Sequence, residues 1–200
     1  EFRRVLFRSM PDIEIVEVSP RDGFQSISAF IPTADKIAHI RALHAAGLRR
    51  IEATAFVSPS AVPQMADAHE VLATIRADLP NLDAQVLVPT ARQTERALDA
   101  GAAHLVFVLS VSERHNWGNV RRSPQESAQE YAGVLALAGA QTKMRLNVAT
   151  AFDCPYDGLI DRHQVFALLD LMIPMAPAVE VALCDTTGRA TPLHVRTLFT

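Results

Sequence analysis

Short apolar, β-branched runs alternate along this chain with segments of helical periodicity, and that alternation constrains the fold more than any other feature. Residues 13–18, 50–55, 84–88, 104–111, 144–150 and 179–184 have strand character, six runs in all. Between them the period lengthens. Residues 33–46 read as a helix, with Thr33 as its N-cap, Ile37, Ile40 and Leu43 as its stripe, and Gly47 as its stop. Residues 63–77 place Val71, Leu72 and Ile75 on one face, and residues 90–100 form a helix closed by Gly101. Ser123-Pro124 opens a helix to about residue 140, with proline at the favoured first position. A further helix over residues 162–175 is interrupted near Pro174, and Thr191-Pro192 opens the last. Repeated βα units argue for a parallel sheet buried on both faces.

A doubly wound open sheet and a closed barrel share this pattern. Two features favour a TIM-type (β/α)8 barrel, an α/β fold, here cut off after about six βα units. No glycine-rich phosphate loop follows the first strand. Polar groups recur just after or within the strands, at Arg21-Asp22, Glu52, Ser112-Glu113 and Asp185-Thr186, and a barrel gathers strand ends on one face. The chain has 200 residues, short of the roughly 250 a whole barrel takes.

Composition narrows the function classes. The chain is 49% hydrophobic and 20% charged with a net charge of -3, which gives no reason to expect a nucleic-acid surface or a polybasic membrane patch. No apolar run approaches the roughly 20 residues of a membrane span. Cys154 and Cys184 have no metal-type spacing and define no disulfide framework, so a reducing cytoplasm is expected. Residues 1–9 back-translate to the end of a common sequencing adapter, and Met10 follows at once. They are set apart as a non-native leader, and residues 10–200 are taken as one partial barrel domain.

The most informative string is Val16-Glu17-Val18-Ser19-Pro20-Arg21-Asp22-Gly23-Phe24-Gln25-Ser26. Pro20 and Gly23 make a tight turn out of the first strand. Between them stand a guanidinium able to stabilise an oxyanion and a carboxylate able to hold a hard divalent cation. Chemistry alone leaves open a plain surface Arg–Asp pair. Likewise Glu52 can be a structural partner of a nearby arginine, and Asp185 a helix N-cap. Three further blocks accompany the first: residues 51–59 with 62–67, residues 154–158, and Asp185-Thr186-Thr187-Gly188 followed by Thr191-Pro192.

Together the four blocks, spanning residues 12 to about 195, resemble the hydroxymethylglutaryl-CoA lyases of the metallolyase superfamily that also holds isopropylmalate and homocitrate synthases. The resemblance implies a lyase cleaving a 3-hydroxy-3-methylglutaryl-CoA-like acyl-CoA to acetyl-CoA and a 3-oxo acid such as acetoacetate, with Mg²⁺ or Mn²⁺. It implies that Asp22 is a metal ligand, that Arg21 binds substrate and stabilises the enolate, and that Gln25 holds substrate. Glu52 would line the same pocket, and Asp185 would be a proton-transfer group. A homo-oligomer is expected of the full-length protein, without nucleic-acid or membrane partners.

The sequence departs from the family pattern at Ala55, where many relatives have serine, and at Asn147, where the lyases often have tyrosine. Residues 112–122, with Arg114, His115, Asn116, Trp117 and Asn119, read as a loop that contacts CoA or closes as a lid, or as ordinary solvated polarity. The family takes two ligands from a His-x-His motif on the seventh strand and a further Asn and a reactive Cys later on. The seven histidines here include no pair separated by one residue. The chain is therefore expected to be a truncated enzyme, inactive alone. Two other readings stand beside it: a Claisen-type synthase of the same superfamily, against which Pro20 counts, and a non-catalytic barrel serving as a binding module.

Overall fold

The computed structural model describes residues 13–200, so the proposed leader lies outside the described residues. Six strands form one parallel sheet: β1 (Val16–Glu17), β2 (Arg50–Ala55), β3 (Asp83–Leu87), β4 (His104–Ser110), β5 (Lys143–Ala149) and β8 (Glu180–Leu183). The strands lie in sequential order, with parallel register throughout. No switch point interrupts that order, which removes the doubly wound alternative. A short antiparallel hairpin, β6 (Asp153–Cys154) and β7 (Gly158–Leu159), follows β5. The helices are α1 (Thr33–Ala45), α2 (Ala68–Asp78), α3 (Ala91–Asp99), α4 (Glu113–Val120), α5 (Pro124–Ala138), α6 (Arg162–Met172) and α7 (Pro192–Phe199).

The sheet is curled, and one ion pair shows it. Arg50 on β2 reaches Glu180 on β8 at 2.5 Å. Those strands are four spacings apart in the sheet, about 19 Å if it were flat, which is beyond the joint reach of the two side chains. The sheet therefore bends into a partial barrel wall. Alternation along the strands sorts the faces. Ile51, Phe107, Leu146 and Val148 point outward and join Ile40, Leu72, Tyr131, Val134 and Met172 from the helices in the main core. The inner face carries Arg50, Glu52, Gln85, Arg145 and Asn147.

Several boundaries differ from expectation, each for a local reason. The first strand pairs only over Val16–Glu17, because β2 is its one neighbour among the described residues. Residues 63–77 divide into a 3-10 turn (Pro63–Met65) and α2. The break falls where Asp67 turns its carboxylate to Lys36 and Thr33 and the buried Lys36 ammonium donates to the Gln64 carbonyl. Thr33 is therefore not a cap; α1 starts after Pro32 without a side-chain cap. The expected loop at residues 112–122 is helix α4, capped by Ser112 and closed by Arg121 in the left-handed region at φ 57°. Asn116, Gly118 and Asn119 lower its intrinsic propensity and hid it. Elsewhere the caps hold: Ser123 with Glu126 forms a capping box, and Thr191 caps α7.

Candidate active site

Chain exit from β1 builds the site. Residues 19–23 wind into a single π-helical turn, with the Arg21 and Asp22 amides both donating to the Val18 carbonyl. Glu17 accepts from the Ser19 amide at 2.7 Å, a bond that lowers its pKa, and Ser19 Oγ meets His39 Nε2 at 3.1 Å. The turn is thus anchored where it begins, and it presents Arg21 and Asp22 at the C-terminal mouth of the strands, the face on which barrel chemistry is built.

Arg21 points inward and donates through Nε to Glu52 Oε1 at 2.5 Å, while its Nη1 meets Asp22 Oδ1 at 2.6 Å. The Glu52 side chain is 1% exposed and that of Asp22 is 63% exposed. The structure thus brings three of the five expected site residues together: an open carboxylate, a guanidinium and a buried carboxylate behind it. The second Glu52 oxygen, Oε2, is buried without a partner. A buried carboxylate oxygen left unpaired is costly unless a proton, a ligand or a charge meets it.

The other two residues are placed differently. Gln25 is exposed and lines an outer cleft with Phe30, Val62 and Gln64 rather than facing Arg21. Asp185 is exposed just beyond β8 and accepts from the Arg189 and Ala190 amides at 3.1 and 3.0 Å. It therefore shapes the loop before α7 while remaining at the mouth.

Two interior groups escaped sequence reasoning, and a third, Asn147, was noticed only as a departure from the family pattern. Gln85 and Arg145 bond at 3.1 Å beneath the mouth, with Gln85 Nε2 unpartnered. Asn147 Oδ1 is also buried and unpartnered. Cys184, just after β8, lies where Arg145, Glu52, Arg21 and Asp22 all act on it. Burial is the main cause that pushes its thiol up to about 11, and the carboxylates add to it. The available signal was a polar residue at every second position of an otherwise apolar strand, as at Arg145 and Asn147.

As for a metal, the described residues contain no group of three or more His, Cys, Asp or Glu side chains able to hold one. Asp22 fits one ligand position. The histidines serve elsewhere: His104 pairs with Asp83 at 2.9 Å, and His115 meets Ser110 at 2.7 Å while burial lowers its pKa.

A curled parallel wall with a charged mouth at its C-terminal edge defines a TIM-barrel type of protein. The HMGL-like family model matches residues 12–200, and the chain belongs to that family. It is similar to the mitochondrial hydroxymethylglutaryl-CoA lyase of Mus musculus, at 39% identity over 94% of this chain and 58% of the relative. It is also similar to the 3-hydroxy-3-isohexenylglutaryl-CoA/hydroxymethylglutaryl-CoA lyase of Pseudomonas aeruginosa, at 37% identity over 93% of this chain and 62% of the relative. Among solved structures, the HMG-CoA lyase of Brucella melitensis superposes with a TM-score of 0.87 at 38% identity, covering 94% of this chain and 66% of that one. The HMG-CoA lyase of Acinetobacter baumannii in complex with coenzyme A and 3-methylmalate does so at 0.87 and 35% identity, covering 92% and 60%. The chain spans about three-fifths of the length of the curated relatives it matches.

Proposed function

We propose that this chain carries the first part of the active site of a divalent-metal-dependent carbon–carbon lyase. Its substrate is a 3-hydroxy-3-methylglutaryl-CoA-like thioester, and its products are acetyl-CoA and a 3-oxo acid such as acetoacetate. The observation that carries the reading is the Arg21 guanidinium, clamped by buried Glu52 and set beside the open Asp22 carboxylate.

Cleavage removes the proton of the tertiary hydroxyl and breaks the bond between C2 and C3. The electron pair moves onto the thioester as an enolate, and protonation at C2 then gives acetyl-CoA. A bound Mg²⁺ or Mn²⁺ supplies the positive charge that acidifies such a hydroxyl. Asp22 contributes one carboxylate to hold the ion. Arg21 donates to the enolate oxygen, and Glu52 fixes the guanidinium plane so that this donor needs no rearrangement as charge develops. Asp185 is the proton-transfer group at the mouth, and Gln25 contacts substrate from the outer cleft. The protein works as a homo-oligomer in the cytoplasm, without nucleic-acid or membrane partners, and the unbridged thiols of Cys154 and Cys184 suit that compartment.

The test is acetyl-CoA release from 3-hydroxy-3-methylglutaryl-CoA with added Mg²⁺ or Mn²⁺. It uses the chain as it stands and the chain extended with the segment of the Pseudomonas aeruginosa relative that follows the matched region. The extended form is expected to release product and the 200 residues alone to release none. A folded, metal-loaded extended form that leaves the thioester intact contradicts the reading.

A further inference from the structure

Thr150, the residue after β5, has its backbone in the left-handed region at φ 53° and is fully buried. A β-branched side chain crowds the backbone there, so the conformation persists only where neighbours impose it.

The register shows what the conformation does. The Cys184 amide donates to the Val148 carbonyl at 3.0 Å, and a regular parallel ladder would then take the amide of residue 150 to the Cys184 carbonyl. Instead the Ala151 amide donates to it, at 3.3 Å. Thr150 is thus an extra residue in the strand, a bulge whose amide is turned out of the ladder. The freed amide donates to Thr186 Oγ1 at 2.7 Å, and Thr150 Oγ1 accepts from the Ser112 amide at 3.2 Å. One residue thereby joins the exits of β4, β5 and β8.

Thr186 adjoins Asp185. The Asp185 carboxylate is held within its own loop by the Arg189 and Ala190 amides, so its place at the mouth depends on how that loop is tied to the wall. Two described hydrogen bonds tie it: the Thr150 amide on Thr186, and Arg189 Nη1 on Asp153 Oδ1 at 3.3 Å. The Arg189 side chain is 67% exposed, which makes its bond the weaker tether. The Thr187 hydroxyl, buried without a partner, adds none.

We propose that Thr150 is a positioning residue for the cleavage reaction: its left-handed backbone, pinned by Ser112, turns an amide onto Thr186 and so fixes the Asp185 carboxylate at the mouth. The proposal rests on the reading of Asp185 as the proton-transfer group. Without the Ser112 bond, residue 150 relaxes into the ladder and Thr186 loses its donor.

Two substitutions separate positioning from packing. Thr150→Val keeps the shape and loses the hydroxyl, so nothing pins the strained backbone. Thr150→Gly also loses the hydroxyl and leaves a hole, but glycine adopts a φ of 53° without steric cost. Packing alone ranks valine above glycine; positioning ranks glycine above valine. In the extended form, Thr150→Val should lower kcat roughly ten- to a hundredfold, the scale of a group displaced by up to about 1 Å, with KM and Mn²⁺ affinity little changed. Thr150→Gly should keep more of the rate, and Thr150→Ser, which retains the hydroxyl, most of it. In the 200-residue chain, hydrogen exchange at the Arg189 and Ala190 amides should quicken in Thr150→Val and stay near the parent rate in Thr150→Gly. A Thr150→Gly rate at or below that of Thr150→Val overturns the proposal, as does exchange that Thr150→Val leaves unchanged. Should the variants fail to fold, the unsubstituted chain still decides: residue 150 should give the strong intra-residue HN–Hα NOE of a left-handed backbone, and the weak one of an extended strand overturns the proposal. Normal acetyl-CoA release by the parent extended form with the glycine–valine order reversed removes this inference alone, whereas no release by that form removes the lyase reading.

Discussion

Two arginines on the same curled sheet are surrounded in opposite ways. Arg50 sits where the strands begin and has Glu14 at 3.0 Å, Asp83 at 3.3 Å and Glu180 at 2.5 Å around it. Asp83 in turn serves His104 and, at 3.8 Å, Lys143. Apart from Glu14, those residues are the first of β2, β3, β4, β5 and β8, so this layer ties the strand starts into the curve. Arg21 sits where the strands end. Its buried partner Glu52 has one oxygen committed and the other unpartnered, and its exposed partner Asp22 faces solvent. A guanidinium ringed by three carboxylates ties a shape together, even with Arg50 Nε and His104 Nε2 buried without hydrogen-bond partners, whereas one whose buried carboxylate is half committed and whose second carboxylate is open to solvent leaves acceptors free for a ligand. On the proposed function the bottom of the wall is structural and the mouth carries the chemistry, as barrel architecture divides its two faces.

The comparison breaks most visibly at Arg21. In the extended, active form Arg21→Met should lower kcat by about 10²–10³, the usual cost of removing one donor to a developing oxyanion, with little change in KM or melting temperature. Arg21→Lys should recover only part of that loss, because an ammonium lacks the planar fork that Glu52 grips. A full recovery would reduce the role of Arg21 to bare charge.

Asp22→Asn should act on the ground state instead. The expected outcome is weaker Mn²⁺ binding in a metal titration, with part of the lost rate restored by added Mg²⁺ or Mn²⁺. An unchanged metal affinity would take Asp22 out of the ligand set.

At the other end, Arg50→Met should leave kcat within about twofold and lower the melting temperature instead. Losing the hub of a partly buried cluster costs about 2 kcal/mol, less than a fully buried pair because its acids can rehydrate, and that corresponds to roughly 4–8 °C for a chain of this size. A variant that melts normally but turns over slowly would erase the distinction between the two ends.

The smallest effect concerns pH. Burial pushes the Asp83 carboxyl up, but the hydrogen bond from His104 and the charges of His104, Lys143 and Arg50 outweigh it, so its pKa is lowered. A carboxyl lowered on folding contributes stability that is present above its unfolded value, about 3.9, and is lost as pH falls through its folded value. The melting temperature should therefore drop on acidification below about pH 4, and Asp83→Asn should flatten that drop. Parallel acid profiles for the two proteins would show that the bottom cluster does not couple to protonation.

Much of this division was legible in the sequence. The strand–helix alternation carried the topology, because burial on both faces leaves parallel strands few other patterns. The turn at residues 19–23 stood out through the four-block resemblance, since chemistry alone left open a plain surface Arg–Asp pair. Less was legible where tertiary partners decide. The alternative of a structural ion pair for Glu52 is realised in its bond to Arg21, yet its unpartnered second oxygen keeps the functional role open, and no local signal told the two apart. Helix α4 was hidden by poor propensity, although Ser112 at its start was a readable cap. Gln85 and Arg145 stood out in no motif, and Asn147 stood out only as a departure from the family pattern, because an interior face exists only once the sheet curls.

The most direct measurement is the rate of acetyl-CoA release from 3-hydroxy-3-methylglutaryl-CoA, taken below the melting temperature for the extended form and its Arg21→Met and Arg50→Met variants. The account predicts metal-dependent release that survives Arg50→Met and falls at least a hundredfold in Arg21→Met, about the lower end for a lost oxyanion donor. Equal losses in both variants, or a normal rate in Arg21→Met, would contradict it.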